Sequence, residues 1–392
     1  MKNAMNILYL CDSDPDSHAT GARVRTHLLY EALCRIGRTY VLCGDKELRV
    51  VPGERMFRMR GGLGPIRRFI NWVFWVSNSY LFGGCPKLMP VRYRLNVKEA
   101  FPGVTFDCVV VRYPHEGGVS DPWRYGRLFI DFDDHPQEIY ETMFATRHSV
   151  LRRWVSRKVI RWTIGRIVRR CAGVWVSNPE RVKDFPVGTC VHALENVPTE
   201  VLSEYEPSVS RDSSLLIVGY MAWEPNRDGV ETFLADIWPA VRAEHPELSL
   251  RIAGGGLPDE VRERWEKIPG VKCVGFVADL REEYAHTLAT VVPIDGGSGT
   301  CIKTRDALSH SRVCLSTPFG ARGIAEDDLR DGNSGILVYR TANEFLSYLK
   351  RVLAVDERAG LERRAYAYAQ KNLTFEHFVS QVKQLVDVEN VV

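Results

Sequence analysis

The sequence predicts an α/β protein of two doubly wound parallel-sheet domains. Short apolar, β-rich runs alternate with longer helical patterns along the chain, an order that calls for parallel strands joined by crossover helices on both faces. At 392 residues the chain also exceeds what one hydrophobic core usually holds. Near the middle, a polar and aperiodic stretch containing Pro207 (residues 203–214) interrupts the alternation and reads as a linker. The expected division is 1–202, the linker 203–214, then 215–374, with a further helical segment at 375–392.

Composition narrows the function classes. Hydrophobic residues make up 45% and charged residues 26%, an ordinary globular balance, so disorder is not expected. A formal net charge of +3 is too small to point to nucleic acid, and none is expected as a partner. The ten cysteines include no CxxC pair and no zinc spacing. Several, such as Cys43, Cys108 and Cys314, sit inside apolar runs and read as reduced, buried small hydrophobes of a cytoplasmic protein. Met1 and Lys2 pass directly into the strand-like NILYLC without the apolar core of a secretory leader, so export is not expected.

In the first half, the strand Asn6–Cys11 leads through a loop with Thr20 and Gly21 into a helix over 22–36. Further strands are expected at 39–43, 106–112, 127–131 and 173–177. Arg112 and His115 stand where the second of these apolar runs, 106–112, leaves the sheet. The sequence FIDFDDHP then puts Asp131, Asp133, Asp134 and His135 at a strand's carboxyl end. Carboxylates clustered there are able to bind a metal, to cap the following helix, or to hold substrate hydroxyls and a proton. Residues 147–171, opening on Arg147 and closing on Cys171, hold many arginines and no acid, interleaved with Trp154, Ile160 and Trp162. Two readings stand for this run: a helix packed on the sheet with a solvated basic face, or a helix lying on anionic lipid headgroups. Unrelieved positive charge favours the second. The aromatic run 66–82 is broken by Asn71, Ser77, Asn78 and Ser79, too interrupted to span a bilayer, and reads as internal.

In the second half, strands are expected at 215–219, 248–253, 271–275, 289–293, 313–317 and 335–338, and helices at 342–353, 357–372 and 375–388. The most informative stretch is 295–324. Gly296, Gly297 and Gly299 precede a helical pattern, so backbone N–H groups and a helix N-terminus lie at the end of a sheet, where a phosphate is stabilised. Lys303 and Asp306 are one helical turn apart and share a face, while Arg305 is expected to point to solvent. An ammonium for phosphate and a carboxylate for paired ribose hydroxyls suit a nucleotide diphosphate.

The run Gly297, Ser298, Gly299, Thr300, Cys301, Ile302, Lys303, Thr304, Arg305, Asp306, Ala307 resembles the donor-site motif of retaining glycosyltransferases of family 4, the glycosyl transferases group 1 set. Residues 217–256 and 271–286 are similar to the opening units of that family's nucleotide-binding domain. The resemblance implies the GT-B fold, an α/β pair of Rossmann-like domains facing across a cleft. It implies that 1–202 takes the acceptor, 215–374 takes the nucleotide sugar, and 375–392 packs back on the first domain. Donor contacts are then expected from Gly297, Ser298, Gly299, Thr300, Lys303 and Asp306, and the loop with Thr20 and Gly21 resembles the family's glycine loop near donor and acceptor, Gly21 matching its second glycine and Thr20 replacing the first. Arg112 and His115 fall in the neighbouring exit loop, where a surface histidine is the plain alternative.

Three departures accompany the match. Asp306 replaces a glutamate, Ser298 stands where the wider family carries an acid, and the family's arginine and lysine after residue 219 are replaced by YMAWEPNRD. There Arg227 either supplies the missing charge or faces water beside a helix capped by Asn226 or Asp228. The reaction implied is front-face transfer, in which the leaving diphosphate oxygen takes the acceptor's proton, with no cofactor and no metal. Since the fold needs no divalent ion, the resemblance favours Asp133, Asp134 and His135 as catalytic residues orienting the acceptor hydroxyl. The expected partners are a nucleotide-sugar donor, a glycan or lipid-linked acceptor and an anionic membrane surface met by 147–171, with a cytoplasmic, peripheral setting. A non-catalytic nucleotide-sugar-binding subunit and a sugar-nucleotide epimerase of similar fold are the alternatives.

Overall fold

The computed structural model describes residues 5–11, 15, 21–43, 56–58, 97–113, 122–143, 145–209, 213–297 and 299–387. Thr20, His115, Ser298 and the run 66–82 lie outside the described residues. The chain divides into two units, Met1–Asn196 with Phe378–Val392, and Val197–His377.

The first unit holds β1 (Asn6–Cys11), β2 (Arg38–Cys43), β3 (Met56–Arg58), β4 (Cys108–Arg112), β5 (Arg127–Asp133), β6 (Gly173–Val176) and β7 (Val191–Ala193). They form one parallel sheet in the order β3-β2-β1-β4-β5-β6-β7. β1 and β4 are buried along nearly their whole length, as continuous apolar runs must be when helices cover both faces. Those helices include α1 (Gly21–Ile36), α2 (Pro136–Met143) and α3 (Val150–Val168). The Ser149 hydroxyl caps α3 by accepting from the Arg152 amide, and the helix buries a stripe of Ser156, Ile160, Ile164 and Val168 at four-residue spacing.

The second unit holds β8 (Ser214–Val218), β9 (Ser249–Ala253), β10 (Val271–Gly275), β11 (Thr287–Val292), β12 (Cys314–Ser316) and β13 (Ile336–Val338), all parallel, in the order β10-β9-β8-β11-β12-β13. Its helices include α4 (Glu224–Asp236), α5 (Ile302–Ser309), α6 (Ala342–Leu353) and α7 (Val355–Asn372). Trp238, Trp265, Phe233 and Phe345 fill the core on one face of this sheet. Helix α8 (Phe375–Asp387) buries Phe378, Val382 and Val386, and the Val386 carbonyl accepts a hydrogen bond from Arg127 of β5, so most of the helix groups with the first unit.

Strand order reverses between β1 and β4 in one sheet and between β8 and β11 in the other, which are the places where doubly wound sheets open a crevice at their carboxyl ends. The described part of 203–214 is strapped to the second unit rather than free. Leu202 N–H donates to Ser309 O at 3.0 Å, Val209 N–H to Ala285 O at 2.9 Å, and the Tyr205 hydroxyl to Glu362 at 3.1 Å. Glu362 is itself buried against Arg312 at 3.1 Å. A polar stretch without periodicity thus finds polar partners, which composition does not display, and the division falls after Asn196. Among the described residues, no helix is long and apolar enough to cross a membrane.

Candidate functional site

At the second unit's switch point, three loops meet. Gly219 follows β8, and its N–H donates to Ala253 O at 3.0 Å. The glycines after β9 lie against this turn: a Cβ on Gly254 would sit 1.7 Å from the Gly219 carbonyl oxygen, so only glycine fits there. Met221 N–H donates to Gly255 O at 2.8 Å, tying the two loops together. From the third loop, after β11, the Lys303 side chain reaches back across Gly219, whose own Cβ would stand 3.0 Å from the lysine Cε. The fold therefore brings an ammonium-bearing side chain to the β8 turn from far along the sequence.

That third loop is the predicted glycine turn. Gly297 has φ of +127° and Gly299 φ of +65°, backbone conformations that side chains resist. Arg322 buttresses the turn, donating through Nη2 to Gly299 O at 2.7 Å while stacking 3.5 Å from the centre of the Phe319 ring. Helix α5 follows the N-cap residue Cys301, which makes no side-chain cap bond, and carries no acid in its first turn, so its positive dipole end meets no carboxylate of its own. The helix is otherwise sunk in the unit: Thr304, Arg305, Ala307, Leu308 and Ser309 are buried, whereas Lys303 and Asp306 stay half-buried on one face. Arg305 is thus not the solvent-facing residue expected, because the helix is covered on the side it occupies. Burial pushes the Asp306 carboxyl up to about 7, against the pull of Lys303 and Arg305. A carboxylate so placed gains from hydroxyl donors supplied by a ligand.

Arg227 lies on the first turn of α4, half-buried, and folds back onto its own loop. Its Nη1 donates to Met221 O at 3.0 Å and Ala222 O at 3.3 Å. The reading in which Asn226 or Asp228 caps the helix and Arg227 faces water does not hold. Asn226 is buried and donates to Tyr220 O at 2.8 Å, and Trp223 stands at the helix N-cap without a side-chain bond.

The first unit's carboxyl edge is arranged differently. Asp131 is fully buried and accepts from Arg25 Nε at 2.9 Å and Nη2 at 2.8 Å, and from Arg112 Nη1 at 2.9 Å. Asp133 accepts from Arg112 Nη2 at 2.8 Å, the Tyr113 hydroxyl at 3.1 Å and Asn196 Nδ2 at 3.2 Å. Arg25 Nη1 closes the ring on Asn196 Oδ1 at 2.8 Å. A register shift in β5 and the left-handed φ of Asp133, +53°, turn both carboxylates into this knot. Burial alone would lower the Arg25 pKa, but Asp131 and Asp133 hold it above its ordinary value.

Arg112 and Asp133, expected to face substrate, are therefore engaged inside the unit. His135 is buried as well: its Nδ1 accepts from the Gln137 amide at 3.2 Å, its ring packs edge-on against Phe185, and burial pushes its pKa down to about 4. Asp134 is the half-exposed member of the expected trio. Gly21 opens α1. Sequence reasoning passed over Arg25, Asn196 and Arg322. The signal for the knot was an arginine closing the apolar run CVVVR beside a strand ending in two aspartates. Among the described residues, no group of three or more His, Cys, Asp or Glu is placed to hold a metal ion.

The fold and the switch-point geometry define a GT-B protein of two Rossmann-like units. Sucrose-phosphate synthase from Thermosynechococcus elongatus has the same fold at a TM-score of 0.69 and 15% identity, over 97% of this chain and 98% of that one. So does α,α-trehalose 6-phosphate synthase from Burkholderia multivorans, with a TM-score of 0.63, 9% identity and coverage of 98% and 97%. HepE from Anabaena, solved in complex with UDP, gives a TM-score of 0.61 at 10% identity over 98% and 100%. In sequence, residues 212–354 match the family described as "Glycosyl transferases group 1", which covers most of the second unit and includes Lys303 and Asp306. A Klebsiella pneumoniae protein described as "Uncharacterized 44.6 kDa protein in cps region" is 22% identical over 188 residues, 45% of this chain and 47% of that one. The chain thus matches about half the length of that curated relative.

Proposed function

We propose that this protein is a glycosyltransferase that moves a sugar from a nucleotide diphosphate donor to a hydroxyl of a glycan or lipid-linked acceptor, with retention of configuration and without a metal ion. The observation that carries this reading is the pair Lys303 and Asp306, half-open on one face of a buried helix that follows a left-handed glycine turn at the β8/β11 switch point. Lys303 and the α5 N-terminus meet the diphosphate, Gly297 to Thr300 approach the sugar through backbone amides, and Asp306 accepts from the ribose hydroxyls. In the transfer step the bond from the anomeric carbon to the diphosphate oxygen breaks as the acceptor oxygen attacks from the same face. The acceptor's proton passes to that departing oxygen, and Lys303 stabilises the charge that develops there. No protein nucleophile or cofactor enters.

In the first unit, Asp134 is the residue proposed to orient the acceptor hydroxyl, with Asp133 and His135 holding the turn that presents it. The match to a relative in a cps region supports a role in polysaccharide biosynthesis, and the setting proposed is the cytoplasmic face of a membrane. The test is a thermal-shift screen against UDP-, GDP-, dTDP- and CMP-sugars, since a ligand of the native state raises apparent stability. UDP-sugars come first, because HepE of the same fold was solved with UDP. Transfer or hydrolysis and the product's anomeric configuration are then measured on the donor that binds. If no donor raises the midpoint, the reading fails; binding without turnover supports the non-catalytic subunit, a second reading favoured by Arg227 being spent on loop carbonyls. Asp134→Asn should abolish turnover and leave donor binding intact.

A further inference from the structure

Helix α3 presents two contrasting faces. Ser156, Ile160, Ile164 and Val168 are buried in the first unit, while Leu151, Trp154, Lys158, Arg161 and Trp162, with Arg169 just beyond the helix, are exposed on the opposite side. Trp154 is 59% exposed and Trp162 62%, though tryptophan is among the most buried residue types on average. Leu151, at 72%, continues the apolar strip. Cations flank both rings: Lys158 Nζ lies 5.6 Å from the Trp154 ring centre and Arg166 Cζ 4.9 Å from that of Trp162. The helix contains no acid, and Arg157 pairs with Glu141 at 3.1 Å. Among the described residues, Lys158, Arg161 and Arg169 meet no carboxylate.

We propose that this face of α3 docks on an anionic phospholipid bilayer, with Trp154, Trp162 and Leu151 entering the headgroup boundary and the surrounding basic side chains meeting lipid phosphates. Two features select this occupant. Water-exposed indole rings gain from an interface that is apolar on one side and wet on the other. A basic collar that meets no carboxylate among the described residues calls for a surface of distributed negative charge. The docking surface stands on its own geometry. Its consequence, that the acceptor is lipid-linked and lies in the same bilayer, rests on the sugar-transfer reading.

The experiment is co-sedimentation of the full chain with vesicles of phosphatidylcholine containing phosphatidylglycerol, and with phosphatidylcholine alone, at low and high salt. Binding is expected only with phosphatidylglycerol present, and weakened by salt. The triple variant Lys158→Gln, Arg161→Gln, Arg169→Gln should bind on the order of a hundredfold more weakly, since each basic side chain near such a surface contributes about fivefold. Trp154→Ser with Trp162→Ser should weaken binding by about tenfold or more. It should also remove most of the fluorescence quenching that brominated acyl chains produce in the unaltered protein, which separates insertion from adhesion. These side chains are exposed, so thermal midpoints and nucleotide-sugar binding should not change; vesicle binding is thereby scored independently of sugar transfer. Absence of binding to anionic vesicles at low salt, or quenching that the tryptophan variant leaves intact, overturns the proposal. So does an oligomer in solution that the tryptophan variant dissociates, since the face would then belong to a second copy of the chain.

Discussion

The two switch points share a topology and differ in what fills them. At β1/β4 the described charges are satisfied inside the unit, two guanidinium groups and two carboxylates closed by Asn196 and Tyr113. At β8/β11, Lys303 and Asp306 stand half-open on a helix that buries Thr304, Arg305, Ala307, Leu308 and Ser309, beside an uncapped helix start. Burying a charge pair demands complete partners, whereas a binding site keeps charges whose partners arrive with the ligand. The difference separates a knot that shapes a strand end from a pair of charges left half-open at the other switch point.

The largest effect should come from opening the knot. Asp131→Asn leaves Arg25 and Arg112 short of a buried countercharge and should cost about 3–5 kcal/mol in urea unfolding. A cost below about 1 kcal/mol would mean that the knot is not the closed unit described. Nearly as large is the pH dependence at His135, whose pKa falls from its ordinary 6.5 to about 4 in the folded protein. The unfolded chain takes up this proton first. Stability from this group is therefore full above the unfolded value and is lost as pH falls from 6.5 toward 4, by roughly 3 kcal/mol. His135→Gln should flatten that part of the stability profile.

On the open side, Lys303→Gln should weaken nucleotide diphosphate binding about ten- to a hundredfold in calorimetry, the range of a charge-assisted hydrogen bond. Its unfolding free energy should stay within about 0.5 kcal/mol, in contrast to Asp131→Asn. Smaller, as an effect on affinity, is that of pH at Asp306. With its carboxyl raised to about 7, nucleotide-sugar affinity should climb as pH rises through that value, and Asp306→Asn should remove the climb. The same raised pKa predicts a stability contribution present below the unfolded value of 3.8 and lost as pH rises through about 7, so binding and stability should move in opposite directions. Smallest should be Arg227→Ala, about 1 kcal/mol of stability from the loop bonds, with little change in affinity. If affinity falls as far as in Lys303→Gln, Arg227 belongs to the anion site after all.

Much of the fold was legible because burial on both faces writes itself as apolar runs. Asn6–Cys11 and Val271–Gly275 were read with their observed bounds. β7 was missed because Val191, His192 and Ala193 are all half-buried and three residues are too few to show a period. The glycine turn was legible because glycines at left-handed positions have few other uses. The directions of Arg305 and Arg112 were not. A residue's position on a helix or strand is local, but whether a neighbour covers that side depends on contacts made across the sheet.

The sequence by itself determined the alternation of strands and helices, the glycine turn and the shared face of Lys303 and Asp306, because all three follow from spacing within one or two turns of chain. The tertiary structure alone decided which charges are spent and which remain open, since Arg25, Asp131, Arg112 and Asn196 meet only when strands from separate stretches pair. Electrostatic satisfaction depends on distance in space, and that distance is set by packing rather than by position along the chain.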